Sequence, residues 1–142
     1  MTKKLRINHA AVWVAAVLAQ FVPPLIYSEL FFGIRWAELN KITEDDFQSF
    51  DMATGLILAL AAAVVTIYVM AWLFTKIKVE SGLEGLKIAL LIWLAFVFVE
   101  VGIQNHFSLR PFELTLIDEV VVLVRYEIAG VLLGVWRKYS EV

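Results

Sequence analysis

The sequence predicts an all-α integral membrane protein, a four-helix bundle with a short interfacial segment between its first two spans. Of its 142 residues, 61% are hydrophobic and 18% are charged. A mean hydropathy of +0.81 leaves too little polar surface for a water-soluble globule. Four apolar runs are close to the roughly 20 residues that cross a bilayer core. These runs lack strand alternation, so each must be helical to satisfy its backbone hydrogen bonds in lipid.

The four predicted spans form a single transmembrane domain. The first of them contains Pro23 and Pro24, which cannot donate backbone hydrogen bonds and should bend the helix. The connection after it mixes Trp36 with charged residues, as is typical of a segment lying at the lipid headgroups. Thr43, with three acids after it, predicts the N-cap of a further helix. The spans cover about residues 8–32, 53–74, 86–104 and 114–136.

The distribution of Lys and Arg predicts the orientation, because basic loops stay in the cytoplasm. One side of the predicted bundle has only Arg35, Lys41 and Arg110. We therefore expect a multi-pass protein of the inner (plasma) membrane with both termini cytoplasmic and residues 33–52 outside. The other side has Lys3, Lys4, Arg6, Lys76, Lys78, Lys87, Arg137 and Lys138.

Small residues predict where the helices touch, since close backbone approach drives helix association in lipid. One stripe lies in the second span, and Gly130-x-x-x-Gly134 forms another in the fourth. We expect packing within the chain from both, and self-association because so small a bundle encloses little volume. The stripe of the second span consists of Gly55, Ala59 and Ala63. The five tryptophans are expected to be interface anchors or packing residues.

Ionisable residues inside the spans are the candidate site, because charges at membrane depth usually face the bundle interior and have partners. Arg125 falls near the centre of the fourth span, and Asp118 lies seven residues before it on the same face. Glu100 of the third span falls at the depth that the Arg125 guanidinium should reach. We predict a buried cluster of Arg125, Glu100 and Asp118, with Glu119 on an adjoining face, around an outward-facing cavity.

Several polar residues are expected to support this cluster. Glu127 lies on the opposite side of the fourth span. Gln20 and Thr66 fall at compatible depths to hydrogen-bond it, and protonation of its carboxyl is the alternative. Glu29 is expected near the outer headgroups. His106 could join the acids around a metal, but Glu-x-x-His pairs are missing, so we expect an ordinary interfacial histidine and no metal.

Composition excludes several classes of function. Twelve basic and fourteen acidic residues offer no basic surface for nucleic acid. Without cysteine there is no thiolate metal site and no Cys nucleophile. The sequence contains no phosphate-binding loop and no nucleophile elbow. We therefore expect no cofactor and do not favour an enzyme. The enzyme alternative is acid–base chemistry on a lipid by the acids and an arginine.

Short motifs resemble those of a family of small bacterial four-span membrane proteins, classed as a domain of unknown function (number 1761). They run from Ile7-Asn8 through Ile26-Tyr27-Ser28, Leu30-Phe31-Phe32-Gly33, Trp36, Leu39-Asn40 and Ile42-Thr43-Glu44-Asp45 to Leu116-Ile117-Asp118, Gly130, Gly134 and Trp136. The resemblance implies a four-helix topology and no particular activity. Members tend to be apolar after the Asp, where this chain has Glu119, Arg125 and Glu127.

Two functions follow as expectations. The first is a transporter, channel or binding protein whose outward-facing cavity takes a cation, protons or a small polar solute. The second is a non-catalytic accessory or scaffold protein in which buried charges fix helix packing. In both cases the lipid bilayer and a second copy of the chain are the expected partners.

Overall fold

The computed structural model describes residues 3–141 and is helical apart from a short two-stranded ribbon, which confirms the all-α class. The longest uninterrupted helices are α5 and α8. Between α6 and α7 the helix continues through a π-helical turn, Leu94–Phe98. In chain order the helices are α1 (His9–Ala19), α2 (Val22–Ile26), α3 (Gly33–Asn40), α4 (Glu44–Ser49), α5 (Met52–Ile77), α6 (Gly82–Trp93), α7 (Val99–Phe107) and α8 (Phe112–Val135).

Three helical stretches are long and apolar enough to cross a membrane, which indicates a membrane protein. They are His9–Ile26, Met52–Ile77 and Gly82–Phe107. The fourth predicted span, α8, has 24 residues and so sufficient length. It contains five charged residues, which set it apart from the three apolar stretches.

The first span is shorter than predicted because its helix ends at Ile26 and not at residue 32. Pro23 and Pro24 lie in the first turn of α2, where a missing N–H costs nothing. The chain then leaves the helix, and the Ser28 hydroxyl donates to the Leu25 carbonyl at 2.7 Å. The prolines thus separate α1 from α2 and divert the chain toward α3.

The loop after the first span contains two short helices. The predicted N-cap is confirmed: the Asp46 N–H donates to Thr43 Oγ1 at 3.3 Å, and the Thr43 N–H donates to Asp46 Oδ2 at 2.8 Å. This reciprocal capping box satisfies two donors at the start of α4. The interfacial segment predicted at residues 35–40 lies within α3.

The most charged helix, α8, lies at the centre of the molecule. It packs against α1, α5, α6 and α7, and also against the short α2 and α3. Its closest neighbour is α6: a Cβ built on Gly130 would lie 2.6 Å from the Gly85 carbonyl oxygen and 2.7 Å from Ala89 Cβ. Gly134 lies against Ser81 and Gly82 in the same way. These two glycines therefore bring α6 and α8 into backbone contact.

The stripe of small residues in α5 has a different environment. Ala63 is buried in the core, which α1, α5 and α8 share. Gly55 lies beside the ring of Phe50, from the preceding loop, and Ala59 is only partly buried. The first half of α5 thus leaves its apolar side chains exposed, among them Leu56, Ile57 and Leu58.

Both termini lie at one end of the molecule. Strands β1 (Lys3–Arg6) and β2 (Lys138–Glu141) pair in antiparallel fashion, with Arg6 opposite Lys138. The Asn8 amide also donates to the Trp136 carbonyl at 3.0 Å. The opposite end carries α3, α4 and the start of α8.

Candidate functional site

The candidate site lies along α8, where aromatic donors hold Asp118 and Glu119. Asp118 Oδ1 accepts hydrogen bonds from the Tyr27 hydroxyl at 2.7 Å and from the Trp36 indole N–H at 2.8 Å. The two rings pack with their centroids 4.8 Å apart. Asp118 is therefore fixed by residues that follow α2 and lie on α3, at the end of the molecule away from the termini.

Glu119 has a separate donor. It is only 3% exposed, and its Oε2 accepts from the Trp93 indole N–H at 3.0 Å. One turn earlier on α8, Thr115 Oγ1 accepts from the buried Asn105 amide at 3.0 Å. Glu119 and Thr115 thus connect α8 to α6 and α7 by hydrogen bonds between neutral donors and buried acceptors. We call Asp118, Glu119, Tyr27, Trp36 and Trp93 the acid–aromatic cluster.

Arg125 does not join the predicted ion cluster. Both ion pairs within residues 3–141 belong to Arg35, so neither Asp118 nor Glu100 neutralises Arg125. Its guanidinium also has no hydrogen-bond partner in the described part of the chain. The expected triad of Arg125, Glu100 and Asp118 is therefore not formed.

Glu100 is displaced because it lies on the wrong side of its helix. Asn105 faces α8, and Glu100 comes five residues earlier, which puts it roughly 140° away around α7. Glu100 is accordingly exposed. The π-helical turn before Glu100 rotates α7 about its axis relative to α6. A prediction that continues α6 as a regular α-helix therefore places Glu100 on the wrong side of α7.

Arg125 instead lines a cavity of about 150 Å³ between α1, α5 and α8. We call it the arginine cavity. Its polar residues are Arg125, Thr66 and Tyr126, and no carboxylate lines it. The small side chains of Ala19, Ala62, Ala63 and Ala129 make the remaining space.

The predicted partners of Glu127 do not contact it. Gln20 donates its amide to the Ala16 carbonyl at 3.0 Å, within its own helix, and Thr66 faces the arginine cavity. Glu127 lies three residues before Gly130 and so on the helix face that packs against α6. Its Oε2 is buried and has no hydrogen-bond partner among the described residues.

Glu29 and His106 lie outside these clusters. Both are exposed, and the His106 ring packs edge-on against Phe107 with centroids 5.9 Å apart. Within residues 3–141 no three His, Asp or Glu side chains come close enough to hold a metal ion.

An ion pair at the end away from the two strands fixes α3 to the start of α8. Arg35 donates to both carboxylate oxygens of Glu113, at 2.8 and 2.6 Å, and to Glu38 at 3.2 Å. These hydrogen bonds, that of Glu113 above all, raise the pKa of Arg35. The hydrogen bond from Arg35 in turn lowers the pKa of Glu113 below its ordinary value of 4.5. The pair thus holds α3, and with it Trp36, against α8.

Tyr27, Trp36 and Trp93 are the residues that sequence reasoning missed as parts of the site. From the sequence, the tryptophans are expected to be interface anchors or packing residues. The signal available was chemical: a buried Tyr or Trp needs a partner for its single polar hydrogen, and acids in an apolar helix are the strongest acceptors at hand. Their pairing depends on the turn after α2 and on the phase of α6.

The comparisons with known proteins give a family and no activity. The family model described as "Protein of unknown function (DUF1761)" matches residues 10–134, which confirms the resemblance seen in the motifs. No curated protein and no solved structure matches the chain.

Proposed function

The chain belongs to the DUF1761 family of proteins of unknown function, and we propose that it is a binding or transport protein for a small polar solute, which it holds at Arg125. The solute carries an anionic or other hydrogen-bond-accepting group. The observation that supports this proposal is the guanidinium of Arg125, which lines the arginine cavity with no acidic partner.

The proposal includes four membrane spans, with α8 as the fourth. Its central position among three apolar stretches supports this, because neighbouring helices shield its charges from lipid. The basic end with both termini is cytoplasmic and the acidic end is outside the inner membrane, as the positive-inside rule requires. A thiol reagent that cannot cross membranes should then label a Ser49→Cys variant in intact cells, and a Glu80→Cys variant only after permeabilisation.

The cost of an unpaired charge supports a role for Arg125. In this arrangement Arg125 lies near the middle of α8, where an arginine costs roughly 3 kcal/mol on insertion scales. An aspartate or glutamate partner would reduce this cost, but no carboxylate among residues 3–141 forms an ion pair with Arg125. Water or a bound acceptor in the arginine cavity is the remaining way to solvate the guanidinium.

The size and lining of the arginine cavity define the class of solute. A volume of about 150 Å³ accommodates one small organic molecule or a few waters, since a water molecule takes roughly 30 Å³. Because no carboxylate lines the cavity, a cation has no charged ligand there and faces the positive charge of Arg125. A planar acceptor such as a carboxylate matches the guanidinium fork, and the Thr66 and Tyr126 hydroxyls offer further hydrogen bonds.

Binding and flux measurements test this proposal. The full chain in liposomes should take up, or be thermally stabilised by, at least one member of a panel of small carboxylates, phosphate and neutral amides. Arg125→Gln should abolish the effect, while Arg125→Lys should weaken it. Arg110→Gln removes the same charge at an exposed site and is the matched control. A response that survives in Arg125→Gln would contradict the proposal.

An accessory or scaffold role is the second candidate, and the acid–aromatic cluster favours it. Asp118 and Glu119 are held by donors from three other parts of the chain, as expected of side chains that fix helix packing. In that case Arg125→Gln leaves cellular function intact, while Tyr27→Phe and Trp93→Phe impair both stability and function.

Self-association is also part of the proposal. The exposed apolar first half of α5 is available to a second copy or to lipid. Chemical crosslinking in native membranes distinguishes these two occupants.

A further inference from the structure

The end of the molecule that carries both termini has a basic groove that the proposed function does not use. The groove has a volume of about 480 Å³ and runs between β1, β2 and the end of α5. Its charged residues are all basic, namely Lys4, Arg6, Lys76 and Lys138. We propose that this groove binds the phosphate-bearing headgroup of an anionic phospholipid.

The pairing of the two strands brings three of these cations together. Residues 4 and 6 lie on one face of β1, because side chains alternate along a strand. Arg6 is opposite Lys138 in the antiparallel register, so their side chains share that face. The Arg6 Nε also donates to Ser140 Oγ at 2.9 Å, which holds its guanidinium over the ribbon.

Nothing in the described chain neutralises these charges. All four side chains are exposed, and the ion pairs found among residues 3–141 lie at the opposite end, on Arg35. Four clustered cations without an acid repel one another. A phosphate group placed among them would relieve this repulsion and accept several hydrogen bonds.

The neighbouring surface of α5 indicates a lipid and not a soluble phosphate. Val65, Val69 and Trp72 follow one another at helical spacing on an exposed face, with exposures of 64%, 59% and 52%. Lys76 continues this stripe and lies over the Trp72 ring, 5.6 Å from its centroid. An acyl chain can therefore lie along the stripe while its headgroup reaches the groove.

The depth of the groove agrees with this occupant. Tryptophan is enriched at the level of the headgroups, and Trp72 lines the groove near the end of the membrane-spanning α5. Basic pockets at the cytoplasmic ends of transmembrane helices are a known mode of anionic headgroup recognition.

Native mass spectrometry of the full chain tests the proposal. The detergent-solubilised protein is titrated with phosphatidylglycerol and with phosphatidylcholine of the same acyl chains, and in a separate arm with glycerol phosphate. We expect retention of phosphatidylglycerol above the other two. The double variant Arg6→Gln/Lys76→Gln should bind it about twenty-five-fold more weakly, since each basic residue near an anionic headgroup contributes about fivefold.

The controls make each outcome decisive. Lys41→Gln/Arg110→Gln removes the same charge at the opposite end and should bind phosphatidylglycerol like the original chain. If the double variant does not fold, Lys76→Gln on the exposed surface of α5 should still lose about fivefold, and Lys76→Arg should retain binding. Equal loss in the control pair, equal retention of phosphatidylcholine, or equally tight binding of glycerol phosphate would overturn the proposal.

Discussion

Asp118 and Glu119 of α8 accept hydrogen bonds from aromatic side chains and form no ion pair with the arginine of the same helix. Asp118 takes two such bonds, and the nearly buried Glu119 takes one. A hydrogen bond to a charged acceptor contributes about 1.5–3 kcal/mol in water-soluble proteins. Within a membrane the contribution is smaller, about 0.6 kcal/mol on average. Arg125 of the same helix forms no ion pair with any acid of the described residues.

Loss of the Trp93 donor should destabilise the protein. Trp93→Phe removes the indole N–H and leaves Glu119 Oε2 buried without its partner, so we expect a decrease of about 1–2 kcal/mol in unfolding free energy. Denaturation in detergent, followed by circular dichroism, measures the change. Trp72→Phe is the control, because Trp72 is half exposed and its indole donates to no group in the described chain. An equal effect of the two substitutions would refute the role of the Trp93 hydrogen bond.

The Arg35–Glu113 pair should make the docking of α3 sensitive to acid. Arg35 lowers the pKa of Glu113 in the folded protein, so the pair stabilises the fold at pH values above the ordinary 4.5 of a free glutamate. That contribution is lost as the pH falls through the lowered pKa.

Hydrogen exchange measured between neutral and acidic pH tests this direction. After correction for the slower intrinsic exchange of amides in acid, the amides of α3 should be less protected from exchange at the acidic end of the range. Those of Glu113→Gln should be weakly protected at every pH. Asp46 and Asp51, whose pKa values are lowered by hydrogen bonds from Thr43 and Thr54, act on α4 and α5 and not on α3. Acid-independent exchange in α3 of the original chain would contradict the expectation.

At the scale of whole helices, the contact between α6 and α8 depends on glycine. Gly85, Gly130 and Gly134 allow the two backbones to approach so closely that a methyl group cannot fit between them. This is the usual way in which transmembrane helices gain packing energy. The contact also fixes the phase of α8, and therefore the side on which Arg125 and Glu127 lie.

Gly130→Ala should weaken this contact. Its new methyl group would lie 2.6 Å from the Gly85 carbonyl oxygen, so the helices must separate, at a cost of about 1–3 kcal/mol. Gly102→Ala is the matched control, because a Cβ there meets no atom within 4 Å and alanine favours the helix. Thermal unfolding in detergent compares the two variants. If Gly130→Ala is as stable as Gly102→Ala, the close contact between the backbones is not essential.

The helices themselves could be predicted from sequence, and their relative rotations could not. Hydrophobic runs predicted where the helical stretches lie, and the Thr43 pattern predicted a cap that the structure confirms. The rotation of α7 about its axis depends on the π-helical turn at Leu94–Phe98. This turn contains no Pro or Gly from which it could be predicted. Glu100 therefore lies on a different face of α7 from the one that the sequence predicts. Pro23 and Pro24 are visible in the sequence and explain why the first span ends early. That the helix stops at Ile26 is known only from the structure.

At the scale of the whole molecule, charge and packing divide the protein into two ends and a centre. The two strands and the end of α5 form a basic end with the groove for which we propose an anionic headgroup. The opposite end carries the acid–aromatic cluster and the Arg35–Glu113 pair. Between them α8 brings Arg125 to a cavity made by small side chains of α1 and α5. The chain thus has one basic site in the groove beside the two strands and a second, Arg125, among its helices.

The central claim is that the arginine cavity admits water and prefers anions. The chain contains no cysteine, so one introduced thiol reports a single position. Thr66→Cys places a thiol in the arginine cavity, and Ala61→Cys places one on the exposed face of the same helix. The measurement is the rate at which each thiol reacts with an anionic and with a cationic methanethiosulfonate reagent.

We predict that Thr66→Cys reacts faster than Ala61→Cys, that the anionic reagent is preferred, and that Arg125→Gln removes this preference. Equal rates at the two positions, or an unchanged preference in the Arg125→Gln background, would contradict the claim.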